Sequence, residues 1–315
     1  MIVPCHNEAA TIAQVVGDFA DALPGAEIWV FDNNSTDSTV AVAQGAGAIV
    51  RRAPLQGKGN VVRRMFADVE ADVYVLVDGD GTYDAAAAPM LVRRLIEDGL
   101  DMVSAARVST EVEAFRAGHR FGNRALSGVV RMIFGRQFKD MLSGYRAFSR
   151  RFVKSFPAHS HGFEIETELT VHTLQMRLPS AEVEAAYGAR PDGSESKLST
   201  FRDGWRILRM ISLLVREERP LQFFGISGLV AAVVAALLAL PVLLEYLRTG
   251  YVPHFPTLIV AVSLFVVALL SFVCGLILDT VSRSRLEQRR LAYLALAGPD
   301  AFAGAELQPL RSVGP

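Results

Sequence analysis

Asp72-Val73-Tyr74-Val75-Leu76-Val77-Asp78-Gly79-Asp80 is an unbroken apolar run closed by two carboxylates two residues apart. A short valine-rich run of this kind, bounded by polar turn residues, reads as a strand buried on both faces of a sheet. Asp78 and Asp80 then stand at its C-terminal end. Upstream, the chain opens with a strand at Ile2–Val3 and a segment Thr11–Ala22 in which Ile12, Val15, Val16 and Phe19 recur at helical spacing. Strand Glu27–Phe31, helix Ser38–Ala46, strand Ala48–Arg51 and helix Gly59–Val69 follow. Downstream come helix Ala85–Glu97 and strand Met102–Ala105. This rhythm predicts an α/β fold, Rossmann-like, with a mostly parallel sheet and helices on both faces.

Ligands of such sheets bind at the carboxyl ends of the strands. The polar runs fall there: Pro4-Cys5-His6-Asn7-Glu8 after the first strand, Asp32-Asn33-Asn34-Ser35-Thr36-Asp37 after the second, Gln56-Gly57-Lys58-Gly59-Asn60 after the third. Hard cations such as Mg²⁺ or Mn²⁺ take oxygen ligands and keep substrate phosphates in their shell, so one or two carboxylates at a strand end suffice to hold a metal against a diphosphate. Asp-Gly-Asp alone is also an ordinary turn. His6 as a loop cap, Asp32 as a helix N-cap, and Lys58 as a solvated loop charge are the plainer alternatives at those positions.

The second half begins with a basic, helix-like stretch, Thr110–Phe138, carrying Arg116, Arg120, Arg124 and Arg131. A helix at Glu164–Gln175, a strand near Ala181–Tyr187 and a Gly- and Ser-rich charged loop, Gly188–Ser199, come next. Ser199–Arg219 is amphipathic: Trp205, Leu208, Ser212 and Val215 share one face and Arg202, Arg206 and Arg209 another. That pattern suits a helix in the membrane interface or one lying on the sheet domain. Two uncharged stretches, Leu221–Leu244 and Leu258–Leu278, are each long enough to cross a bilayer. The expected organisation is a catalytic domain over residues 1–198, an interface helix over 199–220, a two-helix transmembrane hairpin over 221–282 and a tail over 283–315.

A net charge of −1 over 315 residues excludes a bulk nucleic-acid binder, which needs a basic excess. The two cysteines, Cys5 and Cys274, lie in a strand and in a span, which excludes a disulfide framework and suits a reducing compartment. No basic segment followed by an apolar core marks a cleavable signal, and the first strand is either very short or trimmed at its start.

Jointly the motifs resemble the inverting family-2 glycosyltransferases with the GT-A fold, and more narrowly the polyprenyl-phosphate sugar transferases, the group of dolichyl-phosphate mannose synthase and bactoprenol glucosyltransferase. The resemblance covers residues 2–215, and the paired spans match its bacterial branch. It implies that Pro4, His6 and Glu8 surround the nucleoside, with His6 in place of a more usual tyrosine, and that Asp32 faces the base or ribose. Lys58 then borders the nucleotide, and Asp78 and Asp80 hold the metal. Thr82 stands where several members have a glutamine in the metal shell. Arg107 matches an arginine facing phosphate, and Asp140 an acidic residue near the sugar. Arg190, Ser196 and Lys197, with Ser194 as an alternative to Ser196, match a loop gripping the acceptor phosphate.

The implied reaction moves a sugar from a nucleoside diphosphate, a UDP-sugar by preference, to a polyprenyl phosphate, with inversion, for cell-envelope glycan or glycoconjugate assembly. GDP-mannose as donor, extension of a lipid-linked saccharide, and a non-enzymatic nucleotide-sugar-binding scaffold are the alternatives. Arg216 and Arg219 before the spans and Arg283, Arg285, Arg289 and Arg290 after them, against Arg248 alone between them, place both flanks and the catalytic domain in the cytoplasm. Hairpins of this kind often associate, so a homo-oligomer through the spans is a further expectation.

Overall fold

The computed structural model describes residues 1–109, 138–158, 160, 162, 164–188, 216 and 219–298. The chain divides into two compact units, one of residues 1–204 with 289–315 and one of residues 205–288.

The first unit is built on a seven-stranded sheet. Its strands are β1 (Ile2–Cys5), β2 (Trp29–Asp32), β3 (Ile49–Arg52), β4 (Val73–Leu76), β5 (Met102–Ser109), β6 (Arg146–Ser149) and β7 (Ser180–Tyr187), in the order β3-β2-β1-β4-β6-β5-β7. Every pairing is parallel except those of β6 with β4 and β5. The other six strands therefore end at one edge, and the loop that enters β6 lies at that same edge. The mostly parallel α/β sheet expected from the sequence is what the chain forms.

Side chains alternate across the sheet. Val3, Val75, Val77, Val103 and Ala147 meet helices α1 (Ile12–Ala22) and α4 (Ala88–Glu97) through Ile12, Val15, Phe19, Leu91 and Leu95. The spacing of Ile12, Val15, Val16 and Phe19 gives α1 one continuous buried stripe. On the other face Tyr74 and Phe148 pack edge-on against Phe66 of α3 (Lys58–Asp68). Phe148 also stacks on Phe152 of α5 (Arg150–Ser155) at 4.7 Å, with His172 of α6 (Ile165–Met176) edge-on to Phe152 and Phe156. Helix α2 (Thr39–Gly45) packs against α1.

Strand β6 and helix α5 were not anticipated from the sequence. A four-residue strand that opens on an arginine and ends on a serine, Arg146-Ala147-Phe148-Ser149, is too short and too mixed to show an apolar pattern. Arg146 is nonetheless fully buried, because its guanidinium donates to the carbonyls of Met141, Ser143 and Glu166 and to Thr170 Oγ1. Burial pulls its pKa down to about 10, so it keeps its charge. The side chain thus fastens the loop entering β6 to the first turn of α6.

Within the same unit, Tyr293 Oη donates to Asp101 Oδ2 at 2.7 Å. Asp101 also accepts Ser149 Oγ and a two-pronged Arg151, whose guanidinium lies over the Tyr293 ring at 4.7 Å.

The second unit holds α7 (Pro220–Thr249) and the greater part of α8 (Phe255–Leu294). Both are long and apolar enough to cross a membrane. The second helix continues through the charged residues after Leu278 instead of stopping at the apolar boundary. Gly228, Ala235 and Val242 of α7 and Ala261, Ala268 and Gly275 of α8 are the buried positions that recur every seventh residue, a coiled-coil period. A Cβ on Gly228 would stand 2.9 Å from the Ala268 carbonyl oxygen, so the two backbones touch. Hydroxyls of Ser227, Ser263, Ser271 and Thr280 return to carbonyls four residues back, leaving few polar groups for a lipid environment to satisfy. The proposed interface helix over 199–220 lies outside the described residues except for Arg216, Arg219 and Pro220, as do the basic stretch 110–137 and the tail after Gly298.

Candidate active site

Asp78 and Asp80 leave β4 in a turn held from three sides. Thr11 Oγ1 donates to the Gly79 carbonyl at 2.7 Å. Gly79 lies so near β1 that a Cβ there would stand 2.7 Å from Cys5 Sγ, and Gly81 has a positive φ of 70°. Asp80 is buried, and its Oδ1 accepts from Thr82 Oγ1 at 2.6 Å and from the Thr82 amide. Thr82 therefore orients Asp80 through its hydroxyl, a role distinct from that of a glutamine ligand.

Asp78 is more open. Lys58, the first residue of α3, lies 2.5 Å from its Oδ1 and 2.5 Å from Glu166 Oε1. Lys58 reaches both because Asn33 straps the β3–α3 loop down: its side chain donates to the carbonyls of Ala53 and Leu55 and accepts the Gly57 amide. Burial works against the ammonium, but Asp78 and Glu166 outweigh it and hold Lys58 charged. Burial, reinforced by the Asp78 charge and opposed by Lys58, pushes the Glu166 carboxyl up. Glu166 Oε2 is buried with no hydrogen-bond partner. On the opposite side of Asp78 lies the backbone of Gly144, where a Cβ would stand 2.9 Å from Asp78 Cγ and nearer still to Oδ2. Only a glycine leaves room for this carboxylate.

At the rim nearer β1 and β2, Pro4 of β1 and His6 and Glu8 of the β1–α1 loop are half-buried, and Asp32 is buried at the end of β2. Asp32 Oδ1 accepts the Ser35 amide at 3.2 Å, so it caps the turn while standing beside the site. The two loops are tied together: the Asn7 amide donates to Ser35 Oγ, Asn7 Oδ1 accepts the Thr36 amide, and the Glu8 amide donates to Thr39 Oγ1.

On the other side of Asp78, Arg107 and Asp140 form a two-pronged pair, Nε to Oδ2 at 2.7 Å and Nη2 to Oδ1 at 2.9 Å. The Arg107 amide also donates to Asp140. Burial opposes both charges, yet the pairing prevails: it raises the guanidinium pKa and lowers that of the carboxyl. Arg107 lies over the Tyr187 ring at 5.4 Å. Tyr83 contacts the rings of Tyr145 and Tyr187, and its hydroxyl accepts the Gly144 amide at 2.8 Å. The sequence assigned Arg107 and Asp140 separate duties, and the fold couples them. Arg190, Ser194, Ser196 and Lys197 lie outside the described residues.

Glu166 and Gly144, which contact Lys58 and Asp78, belong to the candidate site but not to the set expected from the sequence. The run Phe163-Glu164-Ile165-Glu166-Thr167-Glu168 places three acids at alternate positions opening a helix, and that was the available signal. Among the described residues no group of three or more His, Cys, Asp or Glu side chains is arranged as a metal-ligand set. The donors at the turn are nevertheless all oxygen, the kind Mg²⁺ and Mn²⁺ accept when substrate phosphates complete the shell.

A sheet of this order, with an acidic turn at its central strand and polar loops on the flanking strand ends, defines the GT-A type of α/β fold. Residues 1–156 match Glycosyl transferase family 2. The chain is 35% identical over 294 residues to "Glycosyltransferase AglJ" of Haloferax volcanii, a match covering 92% of this chain and 95% of that protein. The "Dolichyl-phosphate hexose transferase" of the same organism is 28% identical over 219 residues, covering 70% of this chain and 94% of its own. Among solved structures, glucosyl-3-phosphoglycerate synthase from Mycobacterium tuberculosis, in complex with Mn²⁺, UDP-glucose and phosphoglyceric acid, superposes with a TM-score of 0.56. That match is 25% identical and covers 68% of this chain and 77% of that one. The chain belongs to glycosyl transferase family 2.

Proposed function

We propose that the protein transfers a sugar, with inversion, from a nucleoside-diphosphate donor to a polyprenyl phosphate at the cytoplasmic face of a membrane. A UDP-sugar is the favoured donor. The observation that carries this reading is the acidic turn Asp78-Gly79-Asp80, with Lys58 bound to Asp78, on a sheet that also carries the Arg107–Asp140 pair and on a chain with two helices fit to span a bilayer. The Mn²⁺ and UDP-glucose bound by the structural neighbour, and the dolichyl-phosphate relative, support the donor class and the acceptor class respectively.

In this scheme Asp78 and Asp80 hold Mg²⁺ or Mn²⁺, which supplies electrostatic stabilisation to a departing diphosphate. Thr82 fixes the orientation of Asp80, and Gly144 that of Asp78. Pro4, His6, Glu8 and Asp32 border the nucleoside. Arg107, kept rigid by Asp140, presents a fixed positive charge at the sheet edge, and Arg190, Ser196 and Lys197 receive the acceptor phosphate. A phosphate acceptor is already ionised near neutral pH, so positioning outweighs general-base catalysis. One in-line attack on an α-linked donor yields a β-linked lipid-phosphate sugar. Arginines on both flanks of the hairpin support a cytoplasmic catalytic unit, on the side where nucleotide sugars are made.

The test is sugar transfer by Asp80→Asn against the wild type, both in detergent with Mn²⁺. Loss of transfer with an unchanged melting temperature supports the reading. A fully active variant removes the acidic turn from the chemistry.

A further inference from the structure

Lys58 is the cation already seated at the acidic turn. Its Nζ lies 2.5 Å from Asp78 Oδ1, with its other contact at the same distance on Glu166 Oε1. All three groups are largely withdrawn from water, with side-chain exposures of 9% for Lys58, 27% for Asp78 and 6% for Glu166. A divalent ion ligated by Asp78 sits about 2 Å from a carboxylate oxygen. Two cations so close together in a poorly solvated site repel strongly. One of them must yield or acquire an anion of its own. Glu166 offers part of that compensation, since its second oxygen is buried and unpartnered.

We propose that Lys58 is a built-in counter-cation: it competes with the divalent ion for Asp78 and is taken over by the donor's diphosphate, so that metal and nucleotide bind cooperatively. This rests on the metal and nucleotide reading given above. Alone, the metal must compete with the lysine for Asp78. When it arrives with a diphosphate, the phosphate oxygens accept Lys58 and the carboxylate passes to the metal. Glu166 keeps the lysine within reach of both partners by holding it at the first turn of α6. Lys58 is in this sense a positioning residue for the acidic turn, and Glu166 a positioning residue for Lys58.

Mn²⁺ binding, followed by the electron paramagnetic resonance of the free ion, tests this on the full-length protein in detergent. It is measured alone, with UDP and with GDP. For the wild type, affinity should be weak alone and rise with one of the nucleotides. Lys58→Met should bind Mn²⁺ alone about tenfold more tightly or better, with the nucleotide no longer improving it. Glu166→Gln should move the other way, because Lys58 then has Asp78 as its sole carboxylate and the site loses a negative charge. Opposite signs in two variants of one buried cluster separate this from general damage to the fold, which lowers both.

A Lys58→Met protein with unchanged or weaker Mn²⁺ affinity overturns the proposal, as does a Glu166→Gln protein with tighter affinity. Should Lys58→Met lose its melting transition, the Glu166→Gln result decides. A wild type that binds no Mn²⁺ under any condition overturns the metal reading itself and the proposal with it.

Discussion

Replacing Gly144 by alanine adds one methyl group at a place where the structure leaves none. Its φ is not positive, so alanine meets no backbone strain and the whole effect lies in the new contact. The added carbon would stand 2.9 Å from Asp78 Cγ. Ordinary carbon contacts lie at about 3.5 Å or beyond, so the Asp78 carboxylate must retreat by about 0.6 Å, and further where Oδ2 is concerned. Lys58 holds the other oxygen at 2.5 Å, which leaves rotation away from the site as the available escape. Misplacement of a reacting group by about 1 Å costs on the order of a hundredfold in rate. Gly144→Ala should therefore lower kcat by about that factor while shifting the melting temperature little, since the neighbouring core is untouched. Initial rates at saturating donor and metal, beside a thermal melt, make the comparison. Wild-type kcat in a folded Gly144→Ala protein would refute the claim that this backbone sets the position of Asp78.

Three further outcomes follow from the same geometry. Asp140→Asn leaves Arg107 half-enclosed without its carboxylate; loss of about 3 kcal/mol is expected, and a double-mutant cycle with Arg107→Met should be strongly non-additive. Additive losses would mean that the pair is independent. His172, buried among Phe152 and Phe156, has its pKa lowered to about 3 by burial and then by Arg289, whereas an unfolded histidine titrates near 6.5. The unfolded chain alone binds a proton between those values, so stability is complete above about pH 6.5 and falls by about 1.4 kcal/mol per unit of acidification. At pH 5 the loss is about 2 kcal/mol, and His172→Leu should abolish that part of the slope; an identical pH dependence of melting in both proteins counts against it. Gly228→Leu should separate the paired helices, because the Ala268 carbonyl leaves no space for a side chain, and crosslinking between cysteines placed along the Ala235 and Ala261 faces should drop. Retained crosslinking would mean the seam is not set by small residues.

How far the sequence could be read depended on where each signal resides. Strand β4 and its acidic turn were legible because five adjacent apolar residues followed by carboxylates have few other uses in a sheet protein. The helices α1 and α4 were legible for the same local reason, and the two spans by composition alone. Strand β6 was not, since it is four residues long and begins with Arg146, and the carbonyls that make that arginine's burial tolerable come from loop 141–143 and α6. Glu166 looked like one acid among several at a helix start. Its burial against Lys58 arises only when α3 and α6 meet, and no local pattern records that meeting. The resemblance sets Lys58 beside the nucleotide, whereas its grip on Asp78 arises only from the Asn33 strap across the β3–α3 loop. The pairing of Arg107 with Asp140 spans 33 residues and depends on β5 and the β6 loop reaching one sheet edge. The extension of α8 to Leu294 has no apolar signal, because its last turns are charged and the pattern that marks the span stops near Leu278.

The most direct test of the account is transfer of radiolabelled sugar into the organic phase. It uses purified protein with Mg²⁺ or Mn²⁺, undecaprenyl phosphate, and UDP-glucose, UDP-N-acetylglucosamine or GDP-mannose in parallel. Label entering the lipid from one donor, and vanishing when the metal is chelated, is the result expected. No transfer from any of them, with nucleotide binding intact, would contradict the central claim that this chain glycosylates a polyprenyl phosphate.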